Sequence, residues 1–400
     1  MSAEDVIWLD NGIVRAGIVP ALGGRLLALR LGDAELLHRD GRLLDAALRP
    51  TGADDELLGP LDGTFATWRN WGGDKTWPAP QGWESDEQWA GPPDPVLDGG
   101  PYAASRVGLD VELSSGVEPR TGLRIHRRIA LDPAAARILL DVAVEKVKGR
   151  AASWSAWNVT QVPGAAAGAD GAGVYVGVDE DVAVTLFAAI GTPVRRRIAP
   201  DVVHVPSQHV IGKLGFPRAV GWLAYASDGS VLTQSWAIEP RAAYPDDGSR
   251  AEVWMEHPLD EPLVSLGGLW PRHRVVEIEA VGPLRRLATG ERAALAITMG
   301  CCRCPAPILA VGDAGCVSEE LRAEPAGDGS LRVTAVAGVF RRGAARLVWR
   351  GLDDRVVART ELGSCGPEAP LEVRRYVDRP EAARTLALHA SDVELAWTAL

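Results

Sequence analysis

Nothing in the 400-residue sequence approaches eighteen consecutive apolar residues, so no segment reads as a membrane-spanning helix. The opening Met-Ser-Ala-Glu-Asp-Val has no basic segment followed by an apolar run, and with no export signal to read the expectation is a cytoplasmic protein. Basic stripes are missing as well. The formal net charge is -11, and the runs Arg195-Arg-Arg and Arg341-Arg are short enough to be solvated faces, which argues against nucleic acid as a partner. There is no Gly-x-x-x-x-Gly-Lys-Ser/Thr loop, no Gly-x-Gly-x-x-Gly between a strand and a helix, no His-Glu-x-x-His and no Gly-x-Ser-x-Gly. Phosphoryl transfer and cofactor-driven redox chemistry drop down the list, and no cofactor is expected. Cysteine is scarce and odd in number, five in all, as suits a reducing compartment. The cluster Cys301-Cys-Arg-Cys304 with Cys316 lacks the usual Cys-x-x-Cys spacing of a zinc site, and in a strand Cys301 and Cys302 point to opposite faces. No metal site is expected.

What the chain does have is alternation with period two. Residues 12–19, 25–31, 123–131 and 137–145 alternate apolar and polar, and shorter runs follow at 174–178, 182–187, 219–225, 231–236, 251–255 and 275–281. With Gly, Asp and Pro between them and no long helical pattern, they predict an all-β chain built as a large antiparallel sandwich. After the Pro-rich 304–307 stretch, runs at 331–336, 345–349, 356–360 and 393–397 predict a second, small β-sandwich. The expected division is 1–305 and 310–400, the latter with an accessory role.

Phe and Tyr number four and five, but Trp numbers fourteen, and five of those lie between positions 68 and 89. The segment Trp68-Arg-Asn-Trp-Gly-Gly-Asp-Lys-Thr-Trp-Pro-Ala-Pro-Gln81 reads as a loop, being rich in Gly and Pro. Trp and Pro can simply staple such a loop onto a sandwich. Yet Arg69, Asn70, Asp74 and Lys75 sit among the rings, and packing alone gains nothing from them. Flat apolar walls beside hydrogen-bonding groups suit a small-molecule carbohydrate, with Trp71 and Trp77 among the walls.

Glu277 and Glu279, two apart in a predicted strand, share one face. In an enclosed site their repulsion and desolvation would raise a pKa toward the range useful for acid/base work; on an ordinary amphipathic strand both simply face water. In 152–161, Trp157, Val159 and Gln161 share one face and Asn158 and Thr160 the other. His204 and His209 are candidate proton carriers or ligand contacts without a metal-binding spacing.

These pieces resemble the galactose-mutarotase-like superfamily, and within it a bacterial group known as a domain of unknown function. The resemblance rests on Gly23-Gly-Arg-Leu-Leu-Ala-Leu29 with Ala34-Glu-Leu-Leu37, on Asn70-Trp-Gly-Gly-Asp-Lys-Thr-Trp-Pro-Ala-Pro-Gln81 with Pro92-Pro-Asp-Pro95, on Trp154-Ser-Ala-Trp-Asn-Val-Thr-Gln161, and on Glu277-Ile-Glu-Ala-Val-Gly-Pro283 leading to Gly290-Glu291. It covers roughly residues 5–300. It implies a β-supersandwich whose open face binds a sugar, with a Glu as base on the anomeric hydroxyl and a His as acid at the ring oxygen. Glu279 is the first candidate for that Glu and Glu277 the second, and Arg69 matches a substrate-binding Arg. Where mutarotases carry Thr-x-His this chain has Gln161, which delivers no proton, leaving His204, His209 or Lys75 to supply the acid. The functional expectation is an aldose-epimerase-like isomerase using Glu279, Glu277, Asp74 and Lys75. The alternatives are a non-catalytic carbohydrate-binding or sensing protein, and a glycosidase using paired carboxylates such as Asp74 and Glu279.

Overall fold

The computed structural model describes residues 6–327 and 329–400; Met1 to Asp5, read above for a leader, and Asp328 lie outside them. Strands of β-branched and alternating apolar residues build two large antiparallel sheets. The first runs, from edge to edge, through Ile7–Asp10, Val14–Val19, Arg25–Leu31, Asp74–Ala79, Ala152–Pro163, Val275–Val281, Ala251–Glu256, Ile211–Phe216 and Val184–Ile190. The second carries ten strands, with Leu123–Leu131, Arg137–Lys146 and Arg292–Arg303 near its middle. The two enclose one core in which Ile125, Leu140, Val253, Ile278 and Ile297 are buried. Two four-stranded sheets take their strands from Ala310 to Ala399 and share a separate core around Leu347, Trp349 and Leu388. The all-β antiparallel sandwich read from the period-two runs is the fold.

One feature differs from the sequence reading. The Trp-rich segment is not wholly a loop, because Asp74–Ala79 is a strand buried along its whole length. Pro78 is accommodated in it although proline removes a ladder donor. Its entry depends on Gly72 and Gly73, both at positive φ, 93° and 73°. A Cβ at either would come within 2.4 Å of the carbonyl oxygens of His38 or Leu26, so no side chain fits where the chain passes so close to its neighbours.

Cys301 and Cys302 take opposite faces of their strand, as their adjacency requires. Cys301 faces the main core, whereas Cys302 joins Cys304 and Cys316 in a cluster beneath the later sheets, with Cys302 and Cys316 sulfurs 3.6 Å apart. Burial pushes the Cys301 thiol up, and contact with Cys302, with burial adding to it, does so for Cys316, away from the reactive thiolate.

Candidate functional site

The register of the central strands decides which residues meet. Trp77 lies opposite Trp157, Val159 opposite both Lys75 and Glu279, and Gln161 opposite Glu277. Glu279 in turn faces Glu252, Glu277 faces Trp254, and Trp254 faces Lys213. Since side chains alternate, all of these project from one face of the first sheet, the face turned away from the second sheet.

On that face a cavity of about 290 Å³ is lined by Phe65, Trp68, Asn70, Trp77, Gln81, Trp157, Gln161, Phe187, Lys213, Trp254, Glu256 and Glu277, among others. Its aromatic wall is fixed from behind. The Trp77 ring meets Trp157 edge-on at 5.2 Å and Trp89 at 5.4 Å. Asp98 accepts from the indole N–H of Trp68 at 2.8 Å and of Trp77 at 3.0 Å, and its own charge is met by the buried Arg25 at 2.5 Å. Across the cavity Phe187 stacks on Trp254 at 5.7 Å. Rings held this way present faces without having to be ordered by a ligand.

Two charged groups of side chains form the floor. Glu277 accepts from Lys75 at 3.0 Å and from Gln161 at 2.7 Å, both through Oε1. Burial pulls the Lys75 ammonium down from its usual range, against the pull of Glu277. Beside them, Lys213 lies 2.5 Å from Glu252 and 2.8 Å from Glu279 and sits over the Trp157 ring at 4.2 Å. Glu279 also accepts from the Trp157 indole at 2.6 Å. Burial opposes the Lys213 charge, but the two carboxylates outweigh it and hold its pKa up. Burial also raises both carboxylates, Glu252 the more strongly. One ammonium thus serves two carboxyl groups that are both fully buried.

Glu256 lies on the same face as Glu277, diagonal to it across the strand pair, a separation of roughly 7–8 Å between backbones. Burial, with the nearby Glu277 charge adding to it, pushes its pKa up to about 8, so at neutral pH it is largely the carboxylic acid. Four acceptors around this floor lack a partner: Gln161 Oε1, Asn70 Oδ1, Glu279 Oε1 and Glu252 Oε1. Buried acceptors left unpaired are costly, and those of Gln161 and Asn70, both of which line the cavity, call for donors from a ligand.

A smaller cavity of about 60 Å³ adjoins the first and shares Phe65, Trp68, Asn70, Glu256 and Leu269 with it; its own lining adds His38, Asp40, Arg42, Trp270, Arg272 and His273. His38 is pulled down to about 4 by burial and by His273 and is neutral at pH 7.

Among the residues singled out in the sequence, Asn70, Trp77, Trp157, Gln161 and Glu277 line the cavity. Lys75 touches it through Glu277, and Glu279 lies beneath it, fully buried behind Trp157 and Lys213. Asp74 does not belong to it. One residue from Lys75 in a strand, it points into the core between the sheets, where it pairs with Arg127 and accepts from Asn158 and Thr160. Arg69 donates to the carbonyls of Thr67 and Gly59 behind the wall. Trp71 packs with Leu27, Leu43 and Leu48 in a separate apolar cluster. His204 stacks on Tyr175 at 4.4 Å on the second sheet, and His209 is exposed against His257. Neither His204 nor His209 lines the cavity. Sequence reading missed Lys213, Glu252, Trp254, Glu256 and Asp98. The run 251–255 was legible as a strand, and its Glu252, Trp254 and Glu256 alternate, but nothing in one strand says which neighbour its face meets.

Residues 5–295 match the family described as Domain of unknown function (DUF4380). No curated protein matches the sequence. Among solved structures, a TPR-domain containing protein from Parabacteroides distasonis ATCC 8503 is similar at 16% identity and a TM-score of 0.51, over 77% of this chain and 49% of that one; the chain spans about half the length of that protein. A galactose mutarotase-like protein from Lactobacillus casei ATCC 334 is similar at 11% identity and a TM-score of 0.43, over 74% of this chain and 100% of that one. An aldose epimerase homologue from C. elegans is similar at 13% identity and a TM-score of 0.44, over 75% and 99%. At such identities the likeness is one of fold. The family match covers most of the chain, and the chain belongs to the DUF4380 family. Among the described residues no helix is long and apolar enough to cross a membrane.

Proposed function

We propose that this DUF4380 family member binds a carbohydrate in the tryptophan-walled cavity and interconverts its anomers by acid/base chemistry, with Glu277 as the base and Glu256 as the acid. The observation that carries this reading is the pair itself. One carboxyl group is ion-paired to Lys75, and a second, pushed up to about 8, lines the same cavity on the same sheet face. Environments that separate two carboxyl groups in this way set up acid and base roles at one pH.

The chemistry balances without any other reactant. Glu277 takes the proton of the anomeric hydroxyl while Glu256 gives its proton to the ring oxygen; the bond between anomeric carbon and ring oxygen breaks, leaving an open-chain aldehyde. Rotation about the adjoining carbon–carbon bond and the reverse transfers close the ring on either face. Gln161 cannot supply a proton, and in this reading Glu256 does so in its place. Gln161 instead holds Glu277 with its amide N–H and offers Oε1 to a ligand hydroxyl. Glu279, the first candidate from sequence, gives way to Glu277 because it has no exposure and is committed to Lys213 and Trp157.

Proton NMR of aldoses mixed with the protein tests this, reading saturation transfer and anomer exchange together. Exchange above the buffer rate that falls at least about a hundredfold in Glu277→Gln supports it; exchange indifferent to that change sinks it. A second reading, carbohydrate binding without turnover, draws on the double use of Glu277 Oε1 by Lys75 and Gln161, and it predicts saturation transfer with no added exchange.

A further inference from the structure

The smaller cavity beside Glu256 has a charge balance unlike that of the main one. Asp40 and Glu256 are its acidic residues, and the Asp40 charge is already met: Arg42 grips it through Nε at 3.0 Å and Nη2 at 2.5 Å, and His273 lies 3.3 Å away. Burial opposes the Asp40 charge, but these bonds outweigh it and hold its pKa low. Arg272 is left over. Its guanidinium carbon sits over the Trp270 ring, 3.2 Å from the centroid, and no acidic residue pairs with it among the described residues. A guanidinium stacked on an indole is oriented with its N–H fork outward and free.

The cavity measures about 60 Å³, several times the ~10–15 Å³ a single water needs and compact enough to favour a planar carboxylate. It shares Asn70 and Glu256 in its lining with the sugar-sized cavity, so the two lie side by side. Asn70 keeps an unpartnered Oδ1 at that junction, placed to accept from a ring hydroxyl. Glu256 in its protonated form does not repel an anion passing beside it.

Building on the carbohydrate reading above, we infer that the ligand is a sugar acid, its ring between the tryptophans and its carboxylate in the small cavity, held by the Arg272 fork with Arg42 behind it. Arg–carboxylate pairing gives both orientation and selectivity. A neutral aldose would fill the first cavity and leave Arg272 unmet.

The test measures affinities of the full chain for D-glucuronate and D-galacturonate against D-glucose and D-galactose, with the two hexose 6-phosphates as a further arm. The expected result is a preference of about tenfold for uronate over parent aldose, falling to near parity in Arg272→Gln, a change at an exposed position that leaves the core untouched. Equal affinities for uronate and aldose, or a preference that survives Arg272→Gln, overturn the inference while the carbohydrate reading stands. A preference for the 6-phosphates over the uronates also overturns it, assigning the cavity to phosphate. Failure of every sugar to bind removes both readings at once.

Discussion

The side-chain amide of Gln161 donates to Oε1 of Glu277 at 2.7 Å across two paired strands. That bond fixes the amide the other way round from what a second acceptor would require, and so leaves Gln161 Oε1 buried and open to a ligand donor. Gln161→Leu removes both functions. The expected outcome is a loss of sugar affinity of about tenfold together with weaker turnover, read by titration and by anomer exchange. Wild-type affinity in Gln161→Leu would mean that no ligand hydroxyl bonds there.

Glu256 makes the pH dependence specific. As the acid it must carry its proton, so exchange should decline as pH rises through about 8, and the decline should vanish in Glu256→Gln together with most of the activity. Stability moves in the same direction. The folded-state pKa lies above the unfolded value of 4.5, so the folded chain holds the extra proton, and its advantage is lost progressively from about pH 4.5 up to about pH 8. Urea unfolding at pH 9 should find Glu256→Gln more stable than wild type, and at pH 4 the two should be alike.

Asp74→Asn should behave as a stability variant. It strips the partner from Arg127, whose side chain has no exposure, and removing one member of a buried pair costs about 3–5 kcal/mol. Chemical denaturation should show that loss, whereas sugar affinity of the folded protein should change little. A selective loss of binding at full stability would return Asp74 to the site.

Trp254 is half-buried and stacks on Phe187 at the cavity wall. Trp254→Ala should weaken binding about tenfold, the apolar area of one covered ring face being worth roughly 1.4 kcal/mol or more. The same change at Trp71, which packs in another cluster, should lower stability and leave the affinity of the folded protein alone.

The period-two runs made most strands legible, and with them the pairing of faces within a strand. Trp157 with Gln161, and Glu277 with Glu279, share a face as their spacing requires. The same rule, had residues 74–79 been read as a strand, would have separated Asp74 from Lys75; Gly and Pro on either side obscured it. Lys213, Glu252 and Glu256 were harder. Glu252 stands in a run that read as an ordinary strand, Glu256 just past its end and Lys213 in a segment not read as a strand, and their charges became informative only once three strands lay side by side.

By itself, then, the sequence determined the all-β class and which side chains within each strand point together, because alternation is a local property of the extended backbone. Only the tertiary structure decided which strands are neighbours, and so that Glu256 stands diagonal to Glu277, that Lys213 is shared by two carboxylates, and that Asp74 faces a core arginine. Burial and charge pairing arise between strands, and those two quantities shift the titration of Lys75, Lys213, Glu252, Glu256 and Glu279.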